Sequence, residues 1–248
     1  MESTIFETFI LPSKGKIYDK AVNPTITLRS MTVMEEMKRL SPTDMPYKVM
    51  SDIIEDCMGE KPAIHVYDMC LGDYQYLLHK IRIVTYGSDY RMTVQCPNCN
   101  EITESVADLE SLEVHEWDDS YIEKKIITLP ITKHQIELKF QTPHSLDLIA
   151  YKTKEMKKKT KQNLDYSIIF TLISLIKKVD GREMNNLEME EFVKNLPNKD
   201  ANYLINKSSE LSELIGLDNN ISVKCVSCGK EMVLPFRITS EFFGPSYD

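Results

Sequence analysis

The chain has 248 residues, of which 42% are hydrophobic and 27% charged, and it carries a net charge of −8 at pH 7. This describes a soluble globular protein of one large domain or two small ones. It argues against a general nucleic-acid binder, whose affinity rests on lysine and arginine contacts to phosphate. The opening MESTIFETFILPSKG lacks the basic and apolar regions of a secretory signal. The longest apolar stretch, YSIIFTLISLI at 166–176, is far shorter than the roughly 20 residues that cross a bilayer. A reducing intracellular compartment is therefore expected, where disulfides are disfavoured.

In chain order, FILP and TITLR (25–29) read as short strands around a turn-rich segment. Thr32 and Glu35 form the T-x-x-E pattern of a capping box, so a helix is expected to start there. Val33, Met34, Met37 and Leu40 share one face of it, and Pro42 follows its end. A second helix follows Pro46, with Val49, Met50, Ile53, Ile54 and Cys57 repeating at three and four. Asp73 reads as the N-cap of the helix YQYLLHKIRIVTY, which Gly87 stops. YRMTVQ then alternates as a strand into Cys96, and EITESV alternates after Cys99.

The same order of elements returns. IITLP (126–130) and IELKF (136–140) read as a hairpin, followed by helical patterns at about 145–160, 164–178, 187–196 and 201–215. ISVKCVSCGKEMVLPFRI closes the series as strand, CxxC turn, strand. GDYQYLLHK (72–80) matches KDANYLINK (199–207), and Leu11-Pro12 corresponds in order to Leu129-Pro130. The expectation is an α+β fold of two similar halves related by internal duplication. Residues 1–110 form the first half, 111–122 a linker or edge segment, and 123–248 the second half with its own knuckle and an aromatic tail. The two halves are expected to share a core.

Cys96, Cys99, Cys225 and Cys228 supply two thiolate pairs at x2 spacing, each following a strand-like segment. Four thiolates meet the tetrahedral requirement of a structural zinc, Zn(2+). The 125 residues between Cys99 and Cys225 far exceed the roughly 15–20 of a usual ribbon, but two halves that each end in a knuckle would bring the pairs face to face. The knuckles would then close as a zinc-ribbon-like clasp. A redox CxxC and an empty or lost metal site remain open alternatives. The redox reading lacks the helix that should follow the pair.

Cys57 and Cys70 read as structural thiols. His65, His79, His115, His134 and His144 show no ligand spacing. No phosphate-binding glycine loop, HExxH or nucleophile elbow occurs, so no catalytic residue and no small-molecule substrate is expected. YKTKEMKKKTK (151–161) holds six lysines against one glutamate, either as a solvated helix face or as a docking patch for an acidic partner. YSIIFTLISLIKK reads as a core helix or part of an obligate interface. Phe242, Phe243 and Tyr247 lie on a terminal segment that anchors either to a neighbour or to its own domain.

FILPSKGKIYD, ITLRSMTVMEEMKRL and VTYGSDYRMTVQCPNCN occur in an order that resembles the baseplate hub and hub assembly protein family of T-even-type contractile-tailed bacteriophages. The likeness covers the first hundred residues best, and LPFRITSEFFGP also resembles that family's ending. The resemblance implies a non-enzymatic role beside other hub, tail tube or spike proteins. It also implies a location in the virion tail baseplate, in the host cytoplasm during assembly, or both. Zinc is inferred from ligand count and not from the family. Alternatives are a zinc-ribbon adaptor for nucleic acid or polymerase and a CxxC thiol oxidoreductase.

Overall fold

The computed structural model describes residues 5–160, 164–218, 220–235 and 240–243. Strands β1 (Glu7–Ile10) and β2 (Thr25–Leu28) pair antiparallel, with Phe9 opposite Ile26. Helix α1 (Val33–Leu40) starts where Thr32 and Glu35 predict it, and both hydrogen bonds of the capping box form. Glu35 is the buried residue of this helix and pairs with Arg29 at 3.0 Å. Val33, Met34, Met37 and Leu40 face solvent instead.

Burial opposes ionisation of Glu35, but the Arg29 guanidinium and the Thr32 donors outweigh it and hold the carboxyl at about 2. Because this folded value lies below the ordinary glutamate value of 4.5, the pair stabilises the fold above that pH and its contribution is lost as pH falls toward 2. Glu35→Gln is therefore expected to flatten the acid limb of a stability–pH profile in that window. An unchanged limb would show that the pair contributes nothing.

Helix α2 (Pro46–Asp56) carries proline in its first turn, where a missing N–H costs nothing. Helix α3 (Leu71–Tyr86) begins three residues before the expected start. Cys70, not Asp73, is its N-cap, because the Asp73 carboxylate is fully buried and turned toward the β1–β2 connection. Gly87, at φ 86°, ends α3 as expected. Strands β3 (Asp89–Gln95) and β4 (Ile102–Asp108) then form a seven-pair hairpin that runs into the first CxxC.

Strand β5 (Val114–His115) lies in the segment read as linker or edge, and Trp117 beside it is buried. Strands β6 (Ile126–Thr128) and β7 (Gln135–Leu138) make the expected hairpin. Helices α4 (Pro143–Thr160) and α5 (Ser167–Leu175) follow. The apolar helix read as reaching 178 stops at Leu175, because Ile176–Val179 forms β8 and pairs with β7. Helices α6 (Asn186–Lys194) and α7 (Asn198–Ser212) lead to β9 (Gly216–Leu217), which pairs with β5. Strands β10 (Asn220–Lys224) and β11 (Glu231–Pro235) form the second knuckle hairpin. The result is an α+β fold built on small sheets.

Apolar burial is divided between two main clusters. One joins residues of the first 112 positions to Ile221, Val223, Cys225, Met232, Phe242 and Phe243. The other is built from residues 127–211. The C-terminal knuckle therefore packs into the cluster that also contains Cys96. Arg82, fully buried, fastens this arrangement by donating to the carbonyls of Phe242 (2.9 Å), Gly87 (2.7 Å) and Asp89 (3.3 Å). Phe242 and Phe243 thus anchor onto their own chain, whereas Tyr247 lies outside the described residues. Gly72 and Gly216 meet where α3 passes β9; a Cβ on Gly72 would lie 2.3 Å from the Ile215 carbonyl oxygen, so only glycine permits that approach.

Two turns are anchored alike. Ser13 donates from both its backbone N–H (2.9 Å) and its hydroxyl to Asp73. Ile131 N–H (2.8 Å), Thr132 N–H (2.9 Å) and Thr132 Oγ1 (2.8 Å) donate to Asp200. Each aspartate is the third residue of its helix, and each turn has a lysine at positive φ, Lys14 at 53° and Lys133 at 63°.

Candidate metal centre

The two CxxC segments take one backbone shape. Cys96 N–H donates to the Glu101 carbonyl and Asn100 N–H to the Cys96 carbonyl, both at 2.9 Å. Cys225 N–H donates to the Lys230 carbonyl and Gly229 N–H to the Cys225 carbonyl, again both at 2.9 Å. Each turn needs one residue at positive φ just after its second cysteine. Gly229 (72°) meets this without strain, and Asn100 (59°) is among the residues best tolerated there.

These turns aim two backbone N–H groups at the first sulfur of each pair. The amides of Cys99 and Asn98 hold the Cys96 thiol down at about 6, against the desolvation that would raise it. The amides of Cys228 and Ser227 lower Cys225 in the same way. Such turns favour thiolate, the form that binds metal.

The hairpins then bring the pairs together. The four Sγ atoms lie within 4.8 Å of one another. Cys96 Sγ is 3.7 Å from Cys228 Sγ, and Cys99 Sγ is 3.8 Å from Cys225 Sγ. These separations exceed the roughly 2.05 Å of a disulfide. They match the spacing of about 3.8 Å that four Zn–S bonds of about 2.3 Å impose in a tetrahedron. Cys96 and Cys225 are buried, while Cys99 and Cys228 are exposed. Ala107, Ile221, Val223 and Met232 of the two hairpins belong to the same buried apolar cluster as Cys96 and Cys225. Ser105 Oγ donates to the Lys224 carbonyl at 3.4 Å.

The remaining sulfurs and imidazoles are engaged elsewhere. Cys57 is buried at the end of α2, and Cys70 Sγ accepts from Asp73 N–H at 3.4 Å. Buried His79 bonds through Nε2 to the Leu109 carbonyl at 2.8 Å, and desolvation pushes its imidazole down to about 4, leaving it neutral. Sequence spacing missed one grouping. The β5–β9 pairing draws His115 within 4.8 Å of Glu113 and Asp218, although Glu113 is highly exposed there.

Fold and site together define a small α+β scaffold whose two knuckle hairpins converge on a four-cysteine cluster compatible with a metal site. A family model described as T4 bacteriophage base plate protein matches residues 3–244, nearly the whole chain, and the chain belongs to that family. No curated protein and no solved structure matches it. Membership implies contact with other phage baseplate proteins and a place in the virion tail baseplate. Among the described residues, no helix is long and apolar enough to cross a membrane.

Proposed function

We propose that the protein is a non-enzymatic structural or assembly component of the baseplate hub, held closed by one structural zinc. The family match over residues 3–244 carries the baseplate reading. The hub assignment rests on the resemblance of residues 1–100 and of the C-terminal LPFRITSEFFGP. Its neighbours would be hub, tail tube or spike proteins. Its site would be the virion, or the host cytoplasm while tails are being built.

The zinc reading rests on donor chemistry and spacing. Cys96, Cys99, Cys225 and Cys228 are the proposed ligands, and a fully thiolate tetrahedral site is a closed one with a structural role. A bound zinc would tie β3–β4 to β10–β11 across 125 intervening residues. The thiol oxidoreductase reading finds little support, because strands β4 and β11 follow the two pairs and the low-lying Cys96 thiol is buried. We also read the chain as an internal duplication. The matched Asp73 and Asp200 anchors support it. So does the recurrence of the Leu28–Met58 bridge as the Leu138–Ile176 pair.

The functional test is a phage carrying a conditional nonsense codon in this gene. Under restrictive conditions it should accumulate tail parts without complete baseplates, visible by electron microscopy. Complete, infectious particles would overturn the assembly role. Mass spectrometry of wild-type virions then separates a resident hub part, present in every particle, from a chaperone that leaves.

A further inference from the structure

Helix α1 is built the wrong way round for a helix that serves its own core. Glu35 is its buried side chain, whereas Val33, Met34, Met37 and Leu40 are 76%, 62%, 58% and 67% exposed. An amphipathic surface helix ordinarily turns its apolar stripe inward. Polar contacts hold α1 in this orientation. Glu35 pairs with Arg29 and Lys38 with Asp56 at 2.5 Å, while Glu36 and Arg39 pair with each other along the helix at 2.6 Å. The Arg39 guanidinium also lies over the Phe243 ring at 5.8 Å. Every charged side chain of α1 is thus engaged within the protein, and the outward face is left apolar and rich in adaptable methionine. A contiguous exposed apolar face of this kind marks an interaction site.

The lysine-rich end of α4, with Lys157, Lys158 and Lys159 in its last turn, lies beyond the C-terminal end of α1. Lys154 of α4 reaches Asp44, just beyond the end of α1, at 2.7 Å. Lys158, one turn further along α4, acts on the same aspartate. Asp44 and Glu155 are the carboxylates paired with this helix end, through Lys154 and Lys159, and its lysines outnumber them, in a chain whose net charge is −8. Charge complementarity then selects an occupant with acidic residues beside its apolar stripe.

We propose that the outward face of α1 (Val33, Met34, Met37 and Leu40), together with Lys154 and Lys158 beyond its C-terminal end, docks an acidic amphipathic helix of a partner protein. This names the partner class for the assembly role proposed above and rests on that reading. Its test is a binding measurement on the isolated protein, so it can fail while the tail-assembly phenotype stands.

The experiment is a fluorescence-anisotropy titration of the full-length protein with a labelled synthetic helix carrying a leucine stripe flanked by glutamates. A control helix carries lysines in place of the glutamates. The acidic peptide should bind, and the control should bind at least about tenfold more weakly. Met37→Glu should weaken the acidic peptide about tenfold or more, as should Lys154→Glu combined with Lys158→Glu. The melting temperature of Met37→Glu should stay close to that of the parent, because the side chain is exposed.

No binding, equal binding of both peptides, or binding indifferent to Met37→Glu overturns the proposal. A sedimenting dimer abolished by Met37→Glu would assign the face to a second copy instead. Met37-dependent binding to anionic vesicles without peptide binding would assign it to a membrane surface. Peptide binding that appears only after removal of 244–248 would assign it to the chain's own C-terminus.

Discussion

At the proposed zinc site, Cys225→Ser is expected to abolish metal binding and to cost more than about 4 kcal/mol of stability, placing it in the exceptional tail of single substitutions. Structural zinc contributes about 10–16 kcal/mol of apparent binding energy in zinc-finger peptides, and in such sites that energy is folding energy. Serine keeps the size of the side chain but removes the thiolate. Removing one ligand also leaves three crowded thiolates without the charge that offset them. The cost should fall where the proposed zinc would join sequence-distant parts, on the packing of β10–β11 against β4. Thermal melts with and without chelator provide the check. The parent should lose stability on chelation, whereas Cys225→Ser should start low and respond little. Cys96→Ser should behave the same way, because Cys96 is the matching buried first cysteine of its knuckle. Val226→Ser, at a 75% exposed position within the same turn, should stay within about 0.5 kcal/mol of the parent.

Asp73→Ala is expected to cost about 3–5 kcal/mol, because it strips the acceptor from three donors and an unmatched buried donor costs about 1–3 kcal/mol. The carboxylate accepts from Ser13 N–H, Ser13 Oγ and, at 2.5 Å, Tyr18 Oη. Alanine leaves these donors buried and unmatched, at a cost that falls on each one. Asp73→Asn should recover much of the loss. Burial raises the Asp73 carboxyl, although the bonds from Ser13 and Tyr18 pull the other way. A neutral isostere escapes that desolvation and keeps one acceptor for Ser13 N–H. Denaturant unfolding measures the difference, and hydrogen exchange at the Ser13 amide locates it. Equal stability of the parent and Asp73→Ala would show that the β1–β2 turn is held by its own backbone. Asp200→Ala should loosen the Ile131–Thr132 turn at a smaller cost, because both donor residues are exposed and water can replace the carboxylate.

Much of the fold was legible because local chemistry and tertiary structure agree. The Thr32–Glu35 box starts α1, Gly87 ends α3, and alternation marks both knuckle hairpins. Three features were not legible, each for a tertiary reason. Asp73 resembles an N-cap in sequence, yet it serves the Ser13 turn sixty residues away. Ile176–Val179 continues an apolar helical run, but the open edge of β7 captures it as a strand. The stripe on α1 shows its periodicity in sequence but not its direction, which buried Glu35 decides.

The site was more legible than the fold around it. Spacing nominated Cys96, Cys99, Cys225 and Cys228, and the structure brings their sulfurs together. The positive φ of Asn100 carried no comparable signal, although the corresponding Gly229 did. Arg82 also escaped notice, because a single arginine in a helix does not disclose the three carbonyls it will meet.

The zinc clasp is tested most directly by metal analysis of the full-length protein, purified without added metal or chelator, with thiols titrated on the same sample. The account predicts close to one zinc per chain, and four thiols that become reactive only when a chelator is added. A chain that carries no zinc, shows those four thiols free from the start and melts at the same temperature with or without chelator would contradict it.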